Sequence, residues 1–392
     1  MIQLIQRFFM ALIITKRPTG LVFEKNISDI LIVAGDAETS VLFTLKVGTA
    51  VAIQETYKFD NDGNITIAQL NDIISAYFAA NKTVVNGSVF TTGLLVDVSM
   101  SFDINATSAS DNEFLVANDF GFNFRVLHCD AVMPETLNAQ LHISQNFLTH
   151  LGNEKRTGAD RNEYLSYVHL AGSEFIILYK VYYISGGELK NKPGKLISFS
   201  SDSIDKIITF DTSLSAIRMA SGILTDDILQ YDIWFTVPTL QIESYAFTYM
   251  VDRNFYRNKI NFIFTNSFGV SETFTATGTL ENKISNEFNL SITSRKYRKN
   301  TQEFMSEKSV NTGFITESEM DWLNELIYSF DVKLYSGGKT EDIVLTSSDK
   351  KDSNTNELKA FKFSFKSANE EQLKYNNSGN GIFDESFDPT FN

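Results

Sequence analysis

"ELKAFKFSFKSA", Glu357 to Ala368, alternates cleanly over 361–366: Phe361, Phe363 and Phe365 fall on one face, and Lys362, Ser364 and Lys366 on the other. Successive side chains of an extended chain point to opposite sides, so this stretch reads as a strand with one face in a core and one in water. The same logic works outward. "SEFIILYKVYYI" (173–184) is a near-continuous apolar run of the kind that fills a central strand. "KLISFS", "IDKIITF" and "ILQYDIWFTVP" follow as short strands with turn signals between them, the pattern of a sandwich or barrel. Towards the N-terminus, "VLFTLKV", "AVAIQETYKF", "SVFTTGLLVDVSMSFDI" and "FGFNFRVLHCD" read the same way, with "NATSASDNE" as a loop. Phe (33) and Tyr (15) far outnumber Pro (5), which favours half-buried pleated surfaces.

Two segments break the period. "IAQLNDIISAYFAA" spaces Leu70, Ile73, Ile74 and Tyr77 helically and predicts a helix over about 68–80. "TESEMDWLNELIYSF" carries a capping box, Thr316 with Glu319, ahead of Met320, Leu323, Leu326, Ile327 and Phe330, and predicts a helix over 316–329. Asp62-Gly63 and Asn266-Ser267-Phe268-Gly269 are expected as tight turns, the first closing a hairpin. "LGNEKRTGADRNE" (151–163) reads as a polar loop and "SGGELKNKPGK" (185–195) as a turn. An EF-hand around Gly63 fails, because it would place Lys58 and Gln69 where carboxylates are required.

At 392 residues the chain exceeds the ~250–300 at which one core stops growing. Strand patterning restarts near residues 130 and 250. The expected class is mainly β, in multi-domain β-sandwich-like units with two short helices. The units are 10–130, 131–250 and 251–375, between an N-terminal extension (1–9) and an extended C-terminal arm (376–392). Arg7 with the apolar Phe8 to Ile14 imitates a signal peptide, but "TKRP" stands where a small-residue cleavage site belongs, and the run is too short to span a bilayer. A first strand is the expectation there, with Met10 an alternative start, and no membrane insertion.

A net charge of −14 repels phosphate backbones, so no nucleic-acid partner is expected. The single basic cluster, Arg295-Lys296-Tyr297-Arg298-Lys299, reads as a solvated strand end or turn. Cys129 is alone, which leaves no disulfide framework. His128-Cys129-Asp130 is the one local group of metal-capable residues; without a second Cys or a close His pair, no metal site and no cofactor are expected. His142, His150 and His169 stand apart in sequence, and no nucleophile elbow, phosphate loop or zinc-protease motif occurs. Trp234 and Trp322 are expected in cores rather than against sugars. The chain is not expected to be an enzyme.

The end, "GIFDESFDPTFN", sets Phe383, Phe387 and Phe391 four residues apart among carboxylates. Pro389 forbids a continuous helix, and an extended chain keeps the three rings on one face. With Ile382 they form the candidate partner-binding residues of the arm, which would need backbone pairing along a sheet edge as well as its anchors.

Several phrases are similar to a known group. "INFIFTNSFGVSETFTATGTLE", "NTGFITESEMDWLNELIYSFDVKLY", "FDESFDPTFN" and the opening "ITKRPTGLVFEKN" resemble structural proteins encoded in tail regions of phages and prophages of Bacteroidetes. The resemblance covers about half the chain. It implies a virion component of the tail, ring or baseplate, built from β-domains, assembled in the host cytoplasm, with copies of itself and other virion proteins as partners. It carries over no catalytic residue. The rivals are a glycan-binding or glycan-degrading module of a phage tail and a bacterial surface β-protein.

Overall fold

The computed structural model describes residues 13–15, 17–33, 38–84, 90–107, 114–200, 203–223, 228–293, 296–336, 338–349 and 359–369. The expected N-terminal extension, and the arm with Ile382, Phe383, Phe387 and Phe391, lie outside these residues. The described chain is mainly β, in several packed sheets, as the alternation demands. The Phe-rich stretch forms the strand Lys362–Ser367, with Phe361, Phe363 and Phe365 all buried.

The first body pairs a five-stranded sheet with a three-stranded one. The larger runs in the order Leu21–Phe23, Phe114–Leu127, Leu95–Thr107, Glu38–Val47, Ala50–Lys58, and the smaller joins Ile13–Ile14, Ile30–Val33 and Asn64–Ile67. Helix α1, Leu70–Asn81, buries Leu70, Ile74 and Phe78, each one turn from the next. Together with Phe43, Phe102, Val98 and Ile32 they close one core. The Asp62-Gly63 turn is present, with the Asp60 carboxylate accepting the Asp62 and Asn64 amides and Gly63 at φ 75°. It closes no hairpin, however: Ala50–Lys58 pairs with Glu38–Val47, while Asn64–Ile67 crosses to the other sheet and pairs with Ile30–Val33. A turn signal fixes the local reversal and leaves the strand partners undetermined.

The middle of the chain builds a six-stranded sheet, with Phe175–Ser185 central between Ile228–Val237 and Glu188–Phe199. The expected turn at 185–195 shrinks to Gly186-Gly187, and the chain runs straight on as Glu188–Phe199. Pro193 is tolerated because this strand lies at an edge, where its missing N–H breaks no ladder. A four-stranded sheet joins Tyr164–His169 and Lys206–Asp211 to Phe90–Thr92 and Thr83–Val84, so the first body's chain completes a sheet of the middle one. Two short helices escaped the periodicity: α2, Ala139–Gln145, capped by the Asn138 side chain, and α3, Leu214–Ser221, capped by Ser213 and ended by Gly222 at φ 69°. They span only about two turns, too short for an apolar period to declare itself.

The last part forms a seven-stranded sheet in the order Ser271–Ala276, Ile260–Thr265, Val332–Ser336, Lys339–Asp349, Lys362–Ser367, Lys296–Asn311, Leu280–Thr293. Residues 277–279 alone link its two edge strands. The Thr277 and Gly278 amides donate to the carbonyls of Thr312 and Asn311, so the sheet curls until its edges nearly meet. A Cβ on Gly278 would lie 2.6 Å from the Asn311 carbonyl oxygen, and the closure needs glycine there. The helix predicted over 316–329 arrives in two pieces, α4 (Glu317–Trp322) and α5 (Asn324–Tyr328), with its capping box formed as expected. Met320, Leu323 and Leu326 are buried, but Phe330 lies past the helix end and is fully exposed.

One hydrophobic cluster runs without interruption from Phe147 through Phe235 and Phe262 to Phe365, across the middle and last parts. A smaller one, with Phe23, Leu127, Cys129, Leu148 and Phe268, takes residues from all three.

Candidate functional site

Two polar clusters occupy the seams between these bodies. The first is sealed. The segment expected as a loop, 151–163, contains the strand Glu154–Thr157, parallel to Phe247–Val251, with Lys155 and Thr157 turned inward. The Lys155 ammonium donates to Glu163 Oε2 at 2.6 Å and to the carbonyl and hydroxyl oxygens of Thr273 at 2.6 and 3.1 Å. The Thr273 hydroxyl donates to Glu163 at 3.0 Å, and Trp322 Nε1 donates to Glu272 at 2.6 Å. Arg161 pairs with Asp252 at 3.1 Å. Lys155 and Arg161 could enter this core because each brings its counter-charge. Lys155 balances one carboxylate, Glu163. Burial pushes the nearby Glu272 up to about 7, against the pull of the Thr149 and Trp322 hydrogen bonds and the Lys155 charge. The void here is about 30 Å³, room for a water or two.

The second cluster is open. A cleft of about 600 Å³ lies where the C-terminal end of α1, the segment after Phe114–Leu127, the turn after Ile260–Thr265 and α5 converge. Lys82, His128, Asp130, Ser267, Glu325, Tyr328, Phe330 and Asp331 line it. The Asn266 side chain builds the expected turn, accepting the Phe268 and Val270 amides, and Gly269 takes φ 74°. Phe268 is buried behind the turn, stacked on His150 with ring centroids 4.6 Å apart.

His128 Nδ1 lies 2.6 Å from the buried Glu24 carboxylate, which Ser75 Oγ also bonds. The ring thus has one carboxylate at Nδ1, and its Nε2 faces the other way. Asp130 Oδ2 lies 3.7 Å from that Nε2. Glu24, His128 and Asp130 thus bring oxygen and nitrogen atoms within 4.8 Å of one another, a grouping that could hold a cation. Glu24, 104 residues from His128, gave no signal in sequence.

A Ser–His–Glu arrangement borders the same cleft but lacks the geometry of a triad. His150 Nε2 is 2.8 Å from Ser267 Oγ and 3.6 Å from Glu325, so serine and carboxylate meet the same nitrogen. In a working triad the carboxylate holds the opposite nitrogen. Glu325 accepts the Ser267 backbone amide at 2.6 Å, which fixes the turn. The Cys129 thiol, buried beside it, is pushed up to about 12 by burial, far from the thiolate a nucleophile requires. His142 is held down at about 4, first by burial and then by His150. Trp322 is in the core as expected, and Trp234 is half-buried.

Around the cleft, Lys82 donates to the Gly269 carbonyl at 2.7 Å. Burial holds its amine below the ordinary lysine range, while Asp331 and Asp130 pull the other way. The side chains of Asp130 and Asp331 are 55% and 56% exposed, and at the rim Tyr328 and Phe330 are 78% and 105% exposed. The cleft is therefore acidic, with aromatic lips.

The chain matches no protein-family model and no curated protein. Among the described residues, no helix is long and apolar enough to cross a membrane.

Proposed function

We propose that this protein is a phage virion structural component, of the tail, ring or baseplate, that assembles in multiple copies. One observation carries the reading. The strands Leu280–Thr293 and Lys296–Asn311 form a hairpin that the sheet supports only at its base, where Lys308–Asn311 pairs with Lys362–Phe365. From Lys283 and Glu307 outward, each strand pairs, among the described residues, only with the other. A two-stranded ribbon is marginal in water by itself. Along Leu280–Thr293, Ile284, Phe288, Leu290 and Ile292 alternate with Lys283, Ser285, Glu287, Asn289 and Ser291, with Asn286 interrupting the apolar set, and among the described residues no third strand pairs with this stretch. Such an element gains its stability from a neighbour.

The resemblance of several phrases to phage tail-region structural proteins supports the same reading. The C-terminal arm, with Ile382, Phe383, Phe387 and Phe391, is a second element for contact with copies or other virion proteins.

Light scattering and negative-stain imaging of the full chain test it, beside a variant in which residues 283–306 are replaced by a short turn. Rings or stacks for the full chain, and monomers with an unchanged melting temperature for the variant, are the expected result. A full chain that stays monomeric at high concentration ends the proposal.

A further inference from the structure

We infer, resting on the assembly reading above, that the basic tip of the hairpin in one copy docks in the acidic cleft of the next, joining copies head to tail. Every neighbouring pair in the seven-stranded sheet is antiparallel, so its first and last strands, Ser271–Ala276 and Leu280–Thr293, run in the same sense. The cleft lies at the start of Ser271–Ala276, beside the turn at 266–270. The hairpin tip lies at the far end of Leu280–Thr293. Cleft and tip therefore sit at opposite ends of the curled sheet, and the tip points away from the cleft of its own chain. The two-stranded ribbon from Lys283 to Thr293 reaches roughly 33 Å at ~3.3 Å per residue, enough to cross into a neighbouring molecule.

The chemistry of the two ends is complementary. The strand Lys296–Asn311 opens with Lys296, Tyr297, Arg298 and Lys299, and positions 288–302 contain no acidic residue, in a chain of net charge −14. The cleft offers Asp130 and Asp331 half-exposed, with Glu325 deeper and Lys82 as its only lysine. Asp331 also touches Lys333 at 3.3 Å, but at the rim its carboxylate is still half open to water. Tyr328 and Phe330 present bare ring faces, on which a guanidinium or ammonium stacks. The volume of about 600 Å³ lies within the ~300–1,000 Å³ of ordinary binding pockets. Two different surfaces at opposite ends make a heterologous contact, which closes into a ring or runs on as a stack.

Charge reversal tests this on the full chain. In D130K/D331K the cleft is basic; in K296E/R298E/K299E the tip is acidic. All five positions lie at exposed sites or on the ribbon, and far-UV circular dichroism confirms folding. Each variant alone is expected to lose assembly, with the dissociation constant raised roughly 30-fold or more by like charges facing each other. The two variants mixed restore it, since each cleft then meets a tip of opposite sign. Phe330→Ala, which leaves the charges in place, weakens wild-type assembly by roughly tenfold. If the D130K/D331K protein assembles as the wild type does, the cleft is not the dock, although the assembly reading stands. Wild-type protein that never assembles removes that reading itself. If a glycan array instead finds binding that Phe330→Ala abolishes while assembly is untouched, the cleft is a sugar site and the inference is overturned.

Discussion

The sealed cluster around Lys155 and the open cluster around Asp130 use nearly the same residue types, lysine, glutamate, aspartate and aromatics, and both sit where distant parts of the chain meet. In the first, Lys155 pairs with Glu163 and Arg161 with Asp252 around about 30 Å³ of space, and Trp322 hydrogen-bonds Glu272. In the second, two carboxylates and two aromatic rings face water across about 600 Å³. Residue type does not distinguish a structural joint from a docking site. What distinguishes them is whether the polar groups find their partners within the chain.

The largest effect is expected at the sealed side. Lys155→Met leaves Glu163 buried without a counter-charge, and urea unfolding should show a loss of about 3–5 kcal/mol. Adding Glu163→Gln to it should recover much of that loss, because the uncompensated charge is then gone. A double variant as unstable as the single would mean the pair contributes through shape alone.

Glu272 is expected to give the next largest effect. Its carboxyl is raised from 4.5 to about 7, so between those values the folded state holds a proton that the unfolded state has released. This contribution is complete below pH ~4.5 and is lost as pH rises through about 7, on the order of 3 kcal/mol in all. Glu272→Gln removes that slope. Stability measured from pH 4.5 to 8 should flatten in the variant, and an unchanged slope would place the titration elsewhere.

At the open side, substitutions should leave the fold alone. Asp130→Ala changes stability by no more than about 0.5 kcal/mol in thermal melts, since its carboxylate is half exposed and makes no short contact. A loss of 2 kcal/mol or more would show that Asp130 belongs to a joint, as Lys155 does.

The smallest effects concern the groups between the two clusters. Cys129, with its thiol near 12, should resist alkylation at pH 8 in the folded protein and react at once in denaturant. His142, near 4, should show no titration of its ring protons by nuclear magnetic resonance between pH 5 and 8.

The strands were legible because their alternation is local: Phe361, Phe363 and Phe365 had to share a face whatever lay opposite. The capping box at Thr316 was legible for the same reason, since its partners are three residues apart. Glu154–Thr157 was misread as a loop because its pattern is polar, and only Glu163, Thr273 and Asp252 make that polarity tolerable in a core. Phe330 keeps the helical spacing yet lies past the helix end, because a helical period says which residues align, not where the helix stops. The cleft is legible only in fragments, the His128–Asp130 group and the turn at 266–269, and not as a site. Lys82, Asp130, Ser267 and Asp331 come from segments up to 249 positions apart by residue number, with no spacing to link them.

By itself, then, the sequence determined a mainly β chain, the place of α1 and of the capped helix start at Thr316, the turns at Gly63 and Gly269, and an acidic surface. Each follows from forces acting within a few residues: pleat, helical turn, cap and glycine dihedral. Only the tertiary structure decided which strands pair, that one core spans the middle and last parts, and which polar residues are sealed and which are left facing water. Those outcomes depend on desolvation and pairing between groups a hundred or more residues apart, such as Lys155 with Thr273 and His128 with Glu24, and no local pattern encodes them.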